Sequence, residues 1–276
     1  MRKSSAIASL AKLSATANLG DFDMGEISGF ADFELTAKND TGTNPTLDVK
    51  LQHSDPLARG HSQLSAGETE TKLKTGAATN VKVAATFTQV AAASIKKVSL
   101  KLKKIGTLAA GKKVTVEIFS DNAGAPNASL GSTTLDIDTE IGTAFATITA
   151  TFATPVDVSA STVYHVVLSA DYTASSTNCV VVRSFTVTSG GTLQTFNGTD
   201  TWTATTTEAV EASIEQYVFS DVVSGAFARA TANGSRQTKT FWAEDLKRFI
   251  RPSVTIGGTN SPAFYVGVDV ISGERR

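Results

Sequence analysis

"PTLDVKLQHSDPLARGHSQ", residues 45–63, is the stretch on which the reading of the fold turns. It opens as a strand, with Leu47, Val49 and Leu51 on one face and Asp48, Lys50 and Gln52 on the other. Successive side chains of an extended chain point to opposite faces of a sheet, so this apolar face has to be covered. Beyond Gln52 the chain dissolves into "HSDPLARGHSQ", which reads as a loop and offers no cover. The rest of the sheet must come from elsewhere in the sequence.

The chain has 276 residues, a length that favours about two domains. Its formal net charge is -1 and its pI ≈ 6.3. It lacks the basic excess that draws nucleic acid through counterion release, so nucleic acid is not expected as a partner. The single cysteine, Cys179, excludes an internal disulfide and reads as a buried thiol within "NCVVVRSFTV". Ser and Lys interrupt the N-terminal "MRKSSAIASLAKLSATANLG" before a signal peptide's apolar stretch is reached. No run approaches the roughly 20 apolar residues of a membrane span. The expectation is a soluble cytosolic product, assembled there into something larger, with no membrane partner.

Thr, Ala, Ser, Val and Gly dominate, and short alternating segments recur between Gly, Asn, Asp and Pro clusters, as in an all-β sandwich or barrel. Residues 28–38 and 45–53 read as neighbouring antiparallel strands joined by the turn "NDTGTN". From about Ser65 to Gln216 the chain offers its own series: "VKVAATFTQV", "IKKVSLKLKKIG", "KKVTVEIFSD", "STTLDIDTE", "TAFATITATFATPVDVS", "STVYHVVLSADY" and "NCVVVRSFTV". These are enough to close a second sandwich. After it, "KRFIRPSVTIGG" and "AFYVGVDVIS" supply the paired strands that the opening segment lacks.

The expected organisation is therefore a flexible N-terminal arm (1–20), an outer domain (21–64 with 217–276) and a β-sandwich inserted in one of its loops (65–216). Insertion at an exposed loop costs little closure entropy, provided the insert's ends near Ser65 and Gln216 lie close together. The arm has too few apolar groups to offset its ordering entropy and is expected to be disordered in isolation.

Two resemblances attach to these segments. The outer halves, "ELTAKNDTGTNPTLDVKLQHSD" and "KRFIRPSVTIGGTNSPAFYVGVDVISGERR", resemble the small jelly-roll cement and decoration proteins that clamp tailed-bacteriophage capsids. The likeness lies in an extended strand ending in a "Q-H-S" segment, a late "R-[FY]-[ILV]-R" strand, a Gly-rich hairpin and a final apolar strand, carried by Arg248, Phe249, Ile250, Arg251, Gly257, Gly258 and Phe264. It implies a virion protein on the capsid exterior, made in the host cytoplasm, oligomeric, with the phage major capsid protein as partner. The insert resembles β-sandwich modules of secreted and surface proteins, with a "S-D-N-A-G-x-P" turn at Ser120, Asp121, Asn122, Ala123, Gly124 and Pro126. These resemble carbohydrate-binding domains, and some bind sugars.

No catalytic constellation stands out, and an enzyme is not expected. His53, His61 and His165 show no metal spacing, so neither metal nor cofactor is expected. His53 and His61 read as loop residues, His165 as a strand residue with a structural or surface role. "DIDTE" places Asp136, Asp138 and Glu140 on one face of a strand, where edge protection is the reading set against calcium ligation. "VTSGGT" and "TIGGTN" lack a phosphate loop's lysine and read as hairpin turns. Partner contacts are expected at Trp242, Arg248 and Arg251, the two arginines forming a basic patch with Lys247. Trp202 and Tyr172 are the candidates for stacking on a glycan. Three functions stay open: a capsid decoration protein, a tail or fibre module that binds host glycans, and a secreted carbohydrate-binding module.

Overall fold

The computed structural model describes residues 3–19, 22–24, 30–55, 57–63, 69–76, 79–188, 190, 192–198, 201–231, 235–242 and 245–273. The protein is all-β, and its chain divides into two compact units, Met1–Pro56 with Phe219–Arg276, and Leu57–Val218. The first unit begins with β1 (Lys3–Leu13), β2 (Ala17–Asn18), β3 (Phe22–Asp23) and β4 (Phe30–Ser54). The second runs through β5 (Ala58–Gln63), β6 (Thr69–Lys72), β7 (Lys82–Gln89), β8 (Ala93–Ile105), β9 (Lys113–Asn122) and β10 (Ala125–Asp136). It continues through the helical turn α1 (Ile137–Glu140), β11 (Ala146–Val158), β12 (Thr162–Ala170) and β13 (Cys179–Thr186). It ends with β14 (Leu193–Phe196), β15 (Trp202–Thr205), β16 (Glu208–Val210) and β17 (Ala212–Tyr217). The chain returns to the first unit as β18 (Ser220–Ala226), β19 (Ser235–Trp242) and β20 (Phe249–Gly273).

The first unit is organised by β4 and β20, each 25 residues long and paired antiparallel from Phe249 opposite Ser54 to Gly273 opposite Phe30. The apolar face of residues 47–51 thus finds its neighbour strand in 249–257. Outside this ribbon, β19 and β18 pair with the free edge of β4, while β1, β2 and β3 pair along β20. A flat ribbon cannot cover its own apolar face. Leu35 and Val268 from one end nevertheless share a single buried cluster with Val49 and Val254 from the other. The ribbon therefore doubles back on itself, and the two ends cover each other.

The bend lies where both strands carry left-handed backbone: Gly42, Asn44, Gly258, Asn260 and Ser261 all have positive φ. Gly42 (φ 112) also sits where a Cβ would come 2.6 Å from Pro262 Cα. "NDTGTN" and "TIGGTN" are accordingly corners inside continuous strands, not the hairpin turns that their composition predicts. The N-terminal arm is corrected too, since Lys3–Leu13 forms β1 along β20. Its order comes from main-chain pairing with an open sheet edge, which low apolar content does not forbid.

The second unit is a sandwich of a six-stranded sheet, ordered β10-β9-β12-β7-β14-β15, and a seven-stranded sheet built around β8. Val83, Phe87, Val116, Ile118, Val166 and Leu168 of the first sheet pack against Ile95, Val98, Leu100, Leu102, Phe152 and Ile214 of the second. The segment Ala58–Gln63, which reads as a loop, is β5 at the border of the seven-stranded sheet, paired with β17. Ser65 lies outside the described residues. "DIDTE" is corrected as well: Asp136 caps α1, its carboxylate accepting from the Asp138 and Thr139 amides, so the three acids do not share a strand face. "VTSGGT" links β13 and β14, which belong to different sheets, and makes no hairpin.

Candidate functional site

The first unit's exposed chemistry gathers on the edge of β4 away from β20. Both β18 and β19 are attached there, and Lys239 Nζ donates to Ser224 O at 2.7 Å while Gln237 bonds the Ala228 main chain at both its amide and its carbonyl. Alternation along β19 sends Phe241 to the core and leaves Arg236, Thr238, Thr240 and Trp242 facing out. Trp242 is 42% exposed, and Val223 on β18 is 87% exposed.

The two arginines expected to contact a partner are held within the unit. Arg248 makes a two-pronged bond to Asp23 (3.0 and 3.0 Å), and Arg251 lies 3.9 Å over the Phe219 ring with its Nε on Gln52 Oε1. Lys247 pairs with Asp55 at 2.8 Å. The basic patch is therefore largely neutralised by carboxylates next to it in space, which sequence adjacency does not reveal. His53 is part of β4, where its Nδ1 accepts from the Lys247 amide.

In the second unit Tyr172 is buried, its hydroxyl donating to Leu73 O and accepting from Val180 N at 3.0 Å. Burial pushes its phenol pKa upward. It cannot serve as an exposed platform, because those two main-chain bonds require the phenol inside. Trp202 stacks at a tilt on Phe196, centroids 5.2 Å apart, and packs against Ala84, Phe119 and Val167 on the outer face of the six-stranded sheet. Lys82 lies over both Phe119 and Phe196, so part of this aromatic surface is already occupied.

The same face holds a polar network that the sequence does not announce. His165 is fully buried, with Nε2 donating to Asp121 Oδ1 (2.9 Å) and Nδ1 accepting from Thr86 Oγ1 (3.0 Å) in the neutral tautomer. Gln194 Nε2 donates to Thr86 Oγ1 and to Gly124 O, and Gly124 N donates back to Asp121 Oδ2. Burial pushes the His165 pKa below its usual 6.5, against the opposing pull of Asp121. With both ring nitrogens engaged and no solvent access, the imidazole is a structural tie between hairpin and sheet. The available sequence signal is a histidine within "VYHVVLS", where residues of both parities are otherwise apolar.

Elsewhere in this unit Arg183 and Glu211 pair at 3.1 Å, with Lys101 3.7 Å from the same carboxylate. A cleft of about 280 Å³ lies beside Leu108, Lys112 and Asn178, and one of about 370 Å³ beside Arg59, His61 and Val90. His61 belongs to β5 and lies against the Phe87 ring, and burial lowers its pKa. Among the described residues no group of three His, Cys, Asp or Glu is placed to hold a metal, and no helix is long and apolar enough to cross a membrane.

No family model and no curated protein matches the chain. Solved structures give distant likenesses. The cysteine protease and lectin-like domains of Cwp84, a surface-layer-associated protein of Clostridium difficile, align at 9% identity and TM-score 0.35, over 57% of this chain and 37% of that one. The chain thus spans little more than a third of that structure. Infectious bursal virus-derived T=1 particles align at 7% identity and TM-score 0.28, over 100% and 77%. The VP2 subviral particle of infectious bursal disease virus aligns at 7% and TM-score 0.25, over 100% and 80%. At these identities and scores the likeness does not extend to function, which rests on the chain's own surface.

Proposed function

We propose that the protein is a virion structural protein, a decoration or cement protein that binds the capsid shell of a tailed phage through its first unit and carries the second as an accessory. It performs no chemistry of its own. The observation that carries this reading is the placement of Val223 and Trp242, the large exposed apolar side chains described in the first unit, on strands attached to one edge of β4. Exposed apolar and aromatic anchors grouped on a rigid sheet border are what a docking surface needs. The charged groups capable of chemistry are meanwhile engaged with one another: Arg248 with Asp23, Arg183 with Glu211, His165 with Asp121.

Binding the assembled shell and not its free subunits stabilises the shell by mass action. A contact stable enough for that buries on the order of 1,200 to 2,000 Å². Glycan binding by the second unit has less support, since Tyr172 is internal and Trp202 packs downward.

Cosedimentation with undecorated shells tests the proposal. The full chain is expected to bind saturably, and the doubly substituted V223S/W242A chain to bind at least about 10-fold more weakly, as for loss of two anchors. A full chain that stays in the supernatant ends this reading.

A further inference from the structure

The cleft of about 370 Å³ between β5 and the end of β7 contains a group that the fold leaves unsatisfied. Gln216 on β17 lines this cleft and is only 6% exposed, and its Oε1 has no hydrogen-bond partner among the described residues. Native proteins keep few buried acceptors in that state, so the atom marks a place where a donor is expected.

The local structure that puts it there is a bulge. Arg59 lies opposite Glu215 and Ser62 opposite Ser213, so Gly60 and His61 together face the single residue Ile214. Bulges of this kind re-aim side chains beside sites. The Gln216 amide occupies the space that a side chain at Gly60 would take, since a Cβ there would come 2.6 Å from Oε1. His61 meanwhile packs on the Phe87 ring, centroids 5.7 Å apart.

The remaining walls define what the cleft can take. Arg59 is exposed and has no ion partner among the described residues, because Glu215 opposite it pairs with Lys97 at 3.5 Å. Burial favours neutral His61, and the described lining contains no carboxylate. The cleft thus favours an anion that brings its own hydrogen-bond donor. Val90, 87% exposed, and Ala91 add an aliphatic wall. A sugar ring needs an open aromatic face, whereas the ring lining this cleft is already packed on Phe87.

We propose that this cleft binds the carboxy-terminal residue of a peptide with an aliphatic side chain. Its carboxylate would pair with Arg59, its amide N–H donate to Gln216 Oε1, and its side chain lie against Val90 and Ala91. Carboxylate, N–H and side chain all spring from one Cα, so a peptide end meets cation, acceptor and apolar wall together. A guanidinium also holds a carboxylate by two parallel hydrogen bonds. The proposal goes beyond the capsid reading and does not depend on it.

The test titrates the full chain, without shells, with the peptide acetyl-Gly-Gly-Leu and follows the backbone amides by NMR. Saturable shifts are expected at Gly60, Val90 and Gln216, with a Kd on the order of 1 mM for so small a ligand. The same peptide as its carboxamide keeps the N–H and the side chain but loses the charge, and is expected to bind at least ~10-fold more weakly. The acid should lose a similar factor against the R59A chain and against Q216L, which removes the acceptor. The carboxamide comparison uses the parent chain, so the test stands even if a variant fails to fold. No saturable shift, equal affinity for acid and carboxamide, or an acid that binds a folded R59A chain as well as the parent overturns the proposal. Glucuronate that saturates the same signals while the peptide does not would also overturn it and assign the cleft to acidic sugars. None of these outcomes alters what cosedimentation with shells reads.

Discussion

"NDTGTN" at 39–44 and "SDNAGAP" at 120–126 share a turn-forming vocabulary and do different things. In the second unit Ala123 (φ 54) and Gly124 (φ 88) are the two central residues of a hairpin closed by Asn122 opposite Ala125. Two consecutive positive φ values match the twist of the flanking strands and reverse the chain. In the first unit Gly42 and Asn44 are separated by a residue with ordinary φ, and the strand opposite brings Gly258, Asn260 and Ser261 to the same place. Two strands bending together make a corner, and their pairing with each other continues on both sides of it. A turn signal therefore locates left-handed backbone but does not say whether it closes a hairpin or bends a paired ribbon. That depends on a partner segment more than 200 residues away.

If the two units have separate cores, the largest effects should be confined to one of them. Phe33 and Phe152 are both fully buried, in different clusters. Phe33→Ala and Phe152→Ala are each expected to cost about 3–5 kcal/mol. Differential scanning calorimetry should show F33A lowering one transition and F152A the other. A single transition lowered by both would mean that the units unfold as one.

The corner itself comes next. At Gly258 (φ 121) a Cβ would lie 3.0 Å from both Asn44 O and Pro45 Cα, so Gly258→Ala adds steric conflict to strain. A cost of about 1–3 kcal/mol is expected, read in the first unit's transition. An unchanged transition would show that the corner tolerates ordinary backbone and that the contrast with the hairpin is one of sequence alone.

Acid should act on the hairpin side through His165. Its pKa is lowered by burial, so the unfolded chain takes up protons first as pH falls through the usual 6.5. The second unit's stability is therefore present above about 6.5 and declines below it, levelling once pH passes the folded pKa. His61 in the same unit is shifted the same way and adds to the slope. Protonation also gives Nδ1 a hydrogen, which displaces the Thr86 hydroxyl from its donor role. Melting temperature against pH should show the decline in the parent and a shallower one in a H165N chain; parallel curves would remove His165 from the account.

The elements legible in the sequence are those whose own alternation announces them. Seven segments read as strands in the second unit coincide with β7, β8, β9, β11, β12 and β13, and with the end of β10, because apolar residues recur at every second position or, in β12 and β13, fill both faces. The short strands β14, β15 and β16, three or four residues each, are too short to show an alternation and owe their conformation to neighbours already in place. β5, "ARGHSQ", has no apolar alternation and is a strand only because β17 offers it an edge. Of the residues read as partner contacts, Trp242 lies exposed on β19, whereas Arg248 and Arg251 are held by Asp23, Gln52 and Phe219, which no local pattern links to them.

The smallest expected effect closes the comparison from the hairpin side. Gly124, like Gly258, has positive φ, but a Cβ there would meet nothing within 4 Å. Gly124→Ala therefore isolates the backbone term, about 1–2 kcal/mol for an L-residue in left-handed conformation. Ala123 already bears that term one position earlier at φ 54, which shows that the hairpin tolerates it. The G124A chain should lower the second unit's transition by less than G258A lowers the first unit's, each measured against its own parent transition. The difference between the two estimates the steric part of the corner. If G124A proves the more damaging, the carbonyl of Gly124 that receives Gln194 and the amide that reaches Asp121 are the sensitive elements, and the hairpin is fixed by its polar network more than by its backbone.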